Sequence, residues 1–582
     1  MEGTVMKCSR WNRWVRETRP WFCAGIAWGL SMASPGVASI APAVTNTMTL
    51  KQVVDRMLVR NESIQIKQIE AEVSRKGEAA ERSVYEPRFV TSVDHLDSRR
   101  QNNAQQQSSL LSIPSFSERN STYNAGIEFL IPTGAKLNTG ATLRDLRNNL
   151  QSLRTLGREY EAFVGASVSQ PLLKNFGPVA TGSRIRLAAL ISDLAFQEYR
   201  RQFMTVVGRT ESAYWDLYLT QEQERLTAES IGVASAILED NKHRAQLGQS
   251  SEIEVLKAEA GVRLREARHK EARVRRVQAS GQLAILISEP SVETNVVILA
   301  SDRPEPILQP LTYYESYQQA FDLNPDYIAR RKQAQQEKVR LAYAKNQRLP
   351  QLDLKASYGL NGLDSTAGGA WDTVTEKGFP AWSVGMELRI PLLGGLREKS
   401  EVEAARLNQK KALLAIREVE SQITSALETA LLRVKLQAEN ITNYGAAVDF
   451  HERLLKDQRE RLQMGRVDTR SVLEVEEKLF EAKLAVLDSM VQHRKGMLDL
   501  ELVSGSILQT RSLDLTKTEL HTRTEQAMRG EMWSQSSLER YAREVERGDY
   551  RGDASPASLP QRQWIEQLRR KPSPPSAPSR PE

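Results

Sequence analysis

The sequence predicts an α+β chain in which strand pairs alternate with very long helices, and in which that arrangement occurs twice. Two observations carry the prediction. In VGMELRIPLLGGL (384–396), Val384, Met386, Leu388 and Ile390 alternate with polar or small neighbours, the period of a strand with one apolar face. Pro391 and the pair Gly394-Gly395 then end the ladder, and REKSEVEAARLNQKKALLAIREVESQ opens a proline-free run of strong helix formers. The second observation is self-similarity, the first thing to look for in a long chain. VGASVSQPLL (164–173) also runs into a long charged helix, so Pro171-Leu172 answers Pro391-Leu392. Gly248 pairs with Gly465 and Val255-Leu256 with Val472-Leu473 at one offset, and Asn61 and Pro87 pair with Asn324 and Pro350 at another.

This ordered set of matches, over roughly residues 48–508, resembles the TolC-like outer-membrane efflux protein family. The resemblance implies a trimeric α+β membrane protein: a long antiparallel α-helical barrel in the periplasm joined to a membrane β-barrel, with two internal repeats and four strands from each chain. It also implies a role, a channel that exports small molecules or proteins to the exterior within a tripartite efflux or type I secretion complex. Its partners would be a periplasmic adaptor and an inner-membrane transporter, and its place the outer membrane of a Gram-negative bacterium.

Residues 1–38 read as a signal peptide. Lys7, Arg10, Arg13, Arg16 and Arg19 precede the apolar run Trp21–Leu30, which is too short to span a bilayer, and Gly36-Val37-Ala38 offers a cleavage site. Both cysteines, Cys8 and Cys23, lie within it, so the mature chain would hold neither disulfides nor thiol chemistry. With 26% charged and 6% aromatic residues, long solvated helices fit better than several packed enzyme cores. The net charge of +7 falls further once the basic leader is set aside, and makes no case for nucleic-acid binding.

The first repeat is assigned to 39–288. Residues 49–86 read as a helix ending at Pro87, and its counterpart 315–349 ends at Pro350. Between Pro87 and Pro171 the first repeat is longer than the second. Within the surplus, GIEFLIPTG (126–134) and the alternation through Leu137, Thr139, Ala141 and Leu143 predict an additional hairpin over 123–145. The polar stretch 98–122 reads as a loop, and the four-strand contribution implied by the resemblance favours a hairpin that projects above the barrel. Proline-rich 289–314 reads as a surface linker.

In the second repeat, 315–508, Leu352, Leu354, Ala356, Tyr358 and Leu360 alternate and form a hairpin with 382–390, joined by the loop LNGLDSTAGGAWDTVTEKG. A membrane strand and a soluble sheet with one wet face share that alternation. Helices over Ser183–Leu247 and Leu396–Met464 are on the order of 100 Å long and need lateral partners, and Ile416, Val419, Ile423, Ala426 and Ala430 supply a coiled-coil seam. An ordinary coiled coil has the same seam, so the residues alone leave open a periplasmic coiled-coil structural or adaptor protein.

Gly248 and Gly465 read as C-terminal caps of the long helices; Ser251 with Glu254, and Asp468, read as N-caps of the next ones. By resemblance these turns, with Val255, Leu256, Val472 and Leu473, form the periplasmic tip where the channel narrows and the adaptor docks. Opposite charges there, Glu252 and Glu254 on one turn and Arg466 and Arg470 on the other, are expected either to pair across the repeats or to cap their own helices.

The tail 509–582 is charged, proline-rich and unperiodic, and reads as disordered. His95, His243, His269, His451, His493 and His521 are scattered, with no HExxH, P-loop or GxSxG pattern. No catalytic, cofactor or metal residue is assigned.

Overall fold

The computed structural model describes residues 44–102, 114–149, 151, 158–288, 296–305, 313–376, 378–391, 395–529 and 543. The signal peptide, the turn residues Leu392 and Gly394, and most of the tail lie outside these. No helix among the described residues is long and apolar enough to cross a membrane.

The long helices begin and end where the turn residues dictate. Helix α4 (Ser183–Gln246) returns as α5 (Glu252–Leu286), and α9 (Leu396–Gln463) returns as α10 (Thr469–Ser504). The helices read as continuous over 49–86 and 315–349 are each broken in two. The first is α1 (Leu50–Arg60) and α2 (Glu62–Arg82); the second is α6 (Tyr313–Leu323) and α7 (Pro325–Gln347).

The breaks fall on the repeat-paired asparagines. Asn61 Oδ1 accepts from the amides of Ser63 (3.1 Å) and Ile64 (3.3 Å), while its Nδ2 donates to the carbonyl of Leu286 (3.0 Å), the last residue of α5. Asn324 does the same: Oδ1 accepts from Asp326 and Tyr327 (2.9 and 3.2 Å), and Nδ2 donates to Val503 near the end of α10 (2.9 Å). Each asparagine thereby joins the carbonyl end of one helix to the amide end of the next, satisfying groups that both ends leave orphaned. Two short helices are stacked into one column beside each long one. The columns α2/α5 and α7/α10 flank α4 on its two sides, and α9 packs against α7/α10.

A belt core surrounds these joints. Met57, Phe203, Val207, Tyr214, Leu217, Leu283, Ile287, Val491 and Leu498 are buried together. The stretch read as a surface linker contributes β6 (Val296–Ala300), which pairs in parallel with β1 (Val44–Met48) and buries Ile298 beside Met48. An unbroken apolar run of five residues is a buried strand despite its proline-rich surroundings. The tail differs from its reading too. Helix α11 (Ile507–Thr510) and helix α12 (Lys517–Arg529) lie on the belt, with Ile507, Leu508 and Leu520 in the same core, so 509–529 is ordered by apolar burial.

The remaining strands form one six-stranded sheet. In order these are β2 (Arg88–Gln101), β3 (Ser115–Leu130), β4 (Lys136–Asn148), β5 (Glu159–Pro171), β7 (Gln351–Asp364) and β8 (Phe379–Arg389), every pair antiparallel. Short helix α3 (Gly177–Thr181) follows β5. The hairpin expected over 123–145 is present, but its strands do not stand above the sheet; β3 and β4 are hydrogen-bonded between β2 and β5. Nor is 98–122 wholly a loop, since β2 reaches Gln101 and β3 starts at Ser115. The loop expected between β7 and β8 holds helix α8 (Ala367–Glu376), whose Ala370 and Val374 pack on Ala162 of β5.

At the strand-to-helix turns, Pro171 ends β5 with Leu172 donating to the Leu352 carbonyl (2.7 Å), and Gly395 (φ 60°) takes a left-handed conformation as the N-cap of α9.

The joint gives a direct test. Gly505 (φ +75°) sits so close to Leu323 and Asn324 that a Cβ would stand 2.7 Å from the Asn324 amide nitrogen. Asn324→Ala, leaving the Val503 carbonyl and two amides unpaired, is expected to cost about 1–3 kcal/mol. Gly505→Ala is expected to cost at least as much, and thermal unfolding of the detergent-extracted protein measures both.

His493 gives a second. It is buried in α10 with neither ring nitrogen hydrogen-bonded, and burial, then the neighbouring Arg494 charge, push its pKa down. The unfolded chain therefore takes up a proton that the folded one resists, and stability is lost as pH falls from about 6.5 towards the lowered folded value. His493→Leu should flatten that part of the profile of Tm against pH.

Candidate functional site: the paired helical turns

The turn after α4 and the turn after α9 are built alike. Gly248 (φ 68°) and Gly465 (φ 70°) both take the left-handed conformation. The Gln249 and Arg466 amides reach back to the carbonyls of Arg244 (2.8 Å) and Arg461 (2.9 Å), while Gly248 and Gly465 donate to Ala245 (3.0 Å) and Leu462 (2.9 Å). This pair of bonds closes the end of a helix on orphan carbonyls.

The N-caps differ. Asp468 accepts from the Ser471 amide (3.2 Å) and hydroxyl (2.5 Å), and these bonds hold its carboxyl below the usual carboxylate range. Ser251 occupies the equivalent place without a side-chain cap bond. Glu254 turns instead to Lys257 (2.7 Å), which lowers its pKa, with the Thr469 hydroxyl and amide acting in the same direction.

The charges do not pair across the repeats. Arg470 pairs with Glu474 one turn along its own helix (2.8 Å) and Glu254 with Lys257; among the described residues neither Arg466 nor Glu252 has an ion-pair partner. Local geometry decides this, because groups three or four apart on a helix meet without ordering a second element.

Polar contacts of another kind join the turns. Arg244 Nη1 donates to the Leu462 carbonyl at the end of α9 (2.7 Å), and Asn241 Nδ2 to the Thr469 hydroxyl (2.9 Å), with Asn241 and Thr469 both buried. Higher up, Glu476 is buried between Arg265 of α5 and Ser230 of α4. Ser230 donates to Oε1 (2.6 Å) and Arg265 Nε to Oε2 (3.0 Å), Nη2 of Arg265 pairs with the same carboxylate, and Arg268 reaches Glu477 (2.5 Å). None of these residues was singled out from sequence. The signal was available: Arg265 sits on the stripe Ala258, Val262, Ala272, and Glu476 between Val472 and Leu479, so each is a charge on a buried face.

The repeat-matched apolar pairs also part company. Val472 is 0% exposed and packs with Leu473 against Ile237, Leu455 and Leu462, whereas Leu256 is 59% exposed beside half-buried Val255. Leu256 joins Leu247, Ile253 and Met464 as apolar side chains open to solvent at the turns.

One group of side chains offers metal-ligand atoms. Glu72, His521 and Glu525 converge where α12 meets α2. Arg75 already donates to both Glu72 oxygens (2.9 and 2.8 Å) and His521 Nδ1 lies 3.0 Å from one of them, which makes this an ion-pair staple for α12.

Residues 316–505, nearly all of the second repeat, match the outer membrane efflux protein family. Among solved structures, the chain shares its fold with the CmeC outer membrane channel of Campylobacter jejuni. The TM-score is 0.58 at 16% identity, over 82% of this chain and 89% of that one. The outer membrane protein VceC of Vibrio cholerae aligns at TM-score 0.55 and 16% identity, over 78% and 96%. The MtrE outer membrane channel of Neisseria gonorrhoeae, in its open state, aligns at 0.54 and 17%, over 79% and 89%. No curated protein sequence matches the chain.

The Arg265–Glu476 pair gives the test of how the chain holds its two returning helices together. Arg265→Met, which strands a buried carboxylate, is expected to destabilise by about 3–5 kcal/mol. Arg265→Met with Glu476→Leu should recover most of that, since a packed apolar pair replaces a desolvated ionic one; Arg470→Glu, at an exposed site, should change Tm little.

Proposed function

We propose that three copies of the chain close into an outer-membrane export duct: the sheet lies in the bilayer, the helical columns extend into the periplasm, and the paired turns form its periplasmic end. The observation that carries the reading is that the helical layer ends on both sides in apolar edges. Ile66, Val73, Val277 and Ile285 are exposed along the α2/α5 column, and Leu407, Leu432, Leu436 and Phe450 along α9. Apolar surface on that scale, on both flanks of a layer, calls for lateral partners. Joining the α2/α5 edge of one copy to the α9 edge of the next covers both and repeats until the ring closes.

In this reading energy and cargo come from a separate inner-membrane transporter, and a periplasmic adaptor docks on the tip. Exposed Leu247, Ile253, Leu256 and Met464 suit an apolar helical hairpin as that partner. The resting tip is held within each chain by Asn241–Thr469 and Arg244–Leu462, contacts few enough for a docking partner to exchange.

Membrane fractionation and planar-bilayer recording test this together. The protein should be recovered with the outer membrane and give small resting conductance. Asn241→Ala with Arg244→Ala should raise that conductance several-fold, while Arg466→Glu with Arg470→Glu should leave it unchanged. A chain recovered in the soluble periplasmic fraction would overturn the proposal in favour of a coiled-coil structural or adaptor protein.

A further inference from the structure

We infer that each chain gives all six strands to the membrane wall, so that a ring of three copies closes as an eighteen-stranded barrel, joined through β8 of one copy and β2 of the next. The inference rests on the trimeric export duct proposed above and fixes the construction of its outer pore.

The register shows that the additional strands, β3 and β4, belong to the wall. One cross-strand row holds Phe89, Ile127, Thr139, Ala166, Tyr358 and Trp382; the adjacent row, on the opposite face, holds Arg88, Glu128, Asn138, Ser167, Ser357 and Ser383. The same division continues along the strands. Tyr123, Ala125 and Phe129 of β3, and Leu137, Ala141 and Leu143 of β4, lie on the face that carries Val164 of β5, Leu360 of β7 and Val384 of β8. Asn124, Asn138 and Thr142 lie on the other. Away from helix α8, which covers Leu143, Ala162 and Leu360, the apolar face is bare: Trp382 is 75% exposed, and Phe89, Val93, Val384 and Met386 are nearly as open. On β7 it runs from Leu352 to Leu360, about 20 Å of height at a ~40° tilt, close to the hydrocarbon band that barrel strands present to lipid. A hairpin standing in water outside the membrane has no reason to carry this face in phase with its neighbours.

The sheet is also staggered in the sense that closure needs. Arg88, the first residue of β2, lies in the row of Ser383, which is well inside β8, so the strand ends step steadily along the sheet. Tilt and stagger are what allow a sheet to meet itself. The two outer strands, β2 and β8, have one free edge each, and hydrocarbon leaves no water for the unpaired amides and carbonyls there. Six alternating strands make β2 and β8 antiparallel to one another, so β8 of one copy meets β2 of the next with the direction and the apolar side both matched. A second copy of this chain is therefore the occupant of each edge. Barrel diameter grows roughly in proportion to strand number, so the pore is about 1.5 times as wide as one built from four strands per chain.

Single cysteines test the inference in the full-length protein, the chain's own cysteines being only Cys8 and Cys23. Ile127→Cys, Thr139→Cys, Val384→Cys, Asn124→Cys and Thr142→Cys are each labelled with bimane in liposomes of brominated phosphatidylcholine. Lipid should quench the labels at 127 and 139 as strongly as the label at 384, while aqueous iodide quenches those at 124 and 142. Labels at 127 and 139 that iodide reaches, with 384 still in lipid, would overturn the eighteen-stranded wall and leave the duct intact. A label at 384 untouched by lipid would overturn the membrane reading itself. Electron cryo-microscopy of the trimer then counts the wall strands: eighteen supports the inference and twelve overturns it.

Discussion

An unpaired backbone group in hydrocarbon has no partner, and with the sheet placed in the bilayer as proposed, that constraint governs this chain more than any side chain does. A sheet with a free edge at β2 and another at β8 cannot sit in a bilayer alone. The same incompleteness recurs in the helices, whose outer columns leave leucines, isoleucines and valines bare on both flanks. On the proposed reading, sheet and helical layer are each a fraction of a ring. The chain passes from sheet to helical layer after Pro171 and again at Gly395, so that on the proposed reading closing one closes the other.

Within a copy the long columns are held by few, well-placed polar groups. A helix of 64 or 68 residues beside two shorter ones presents internal helix ends partway along the layer, where four amides and four carbonyls would be left over. Asn61 and Asn324 resolve this with one side chain each, accepting from the helix that begins and donating to the helix that ends. That both repeats use the same residue in the same two roles is the strongest physical sign that the halves are copies. The ends near the paired turns have diverged: Val472 is sealed in a small core where its counterpart Val255 is half-open, and a buried arginine and glutamate bind α5 to α10.

Much of this was legible in the sequence because the deciding signals are local. Glycines with positive φ ended the long helices where Gly248 and Gly465 stand, and period-2 alternation located the strands. What was missed depended on distant partners. Asn61 lies among good helix formers, and the arrival of Leu286 makes a break there favourable; at Asn324 a local signal adds to Val503, because Pro325 pushes the preceding residue out of the helical region. Helix α12 reads as polar tail because its apolar residues, Leu520 and Ala527, are few and find their core on another element. The expected charge links between the turns failed for the opposite reason, since Arg470 had a nearer partner in Glu474.

In the proposed export duct function follows from closure, which makes stoichiometry the central quantity. Native mass spectrometry of the full chain, extracted from membranes in mild detergent, measures it directly. The account predicts a single assembly of three copies that persists on dilution. A species of one copy, stable and retaining its helical content, would contradict it.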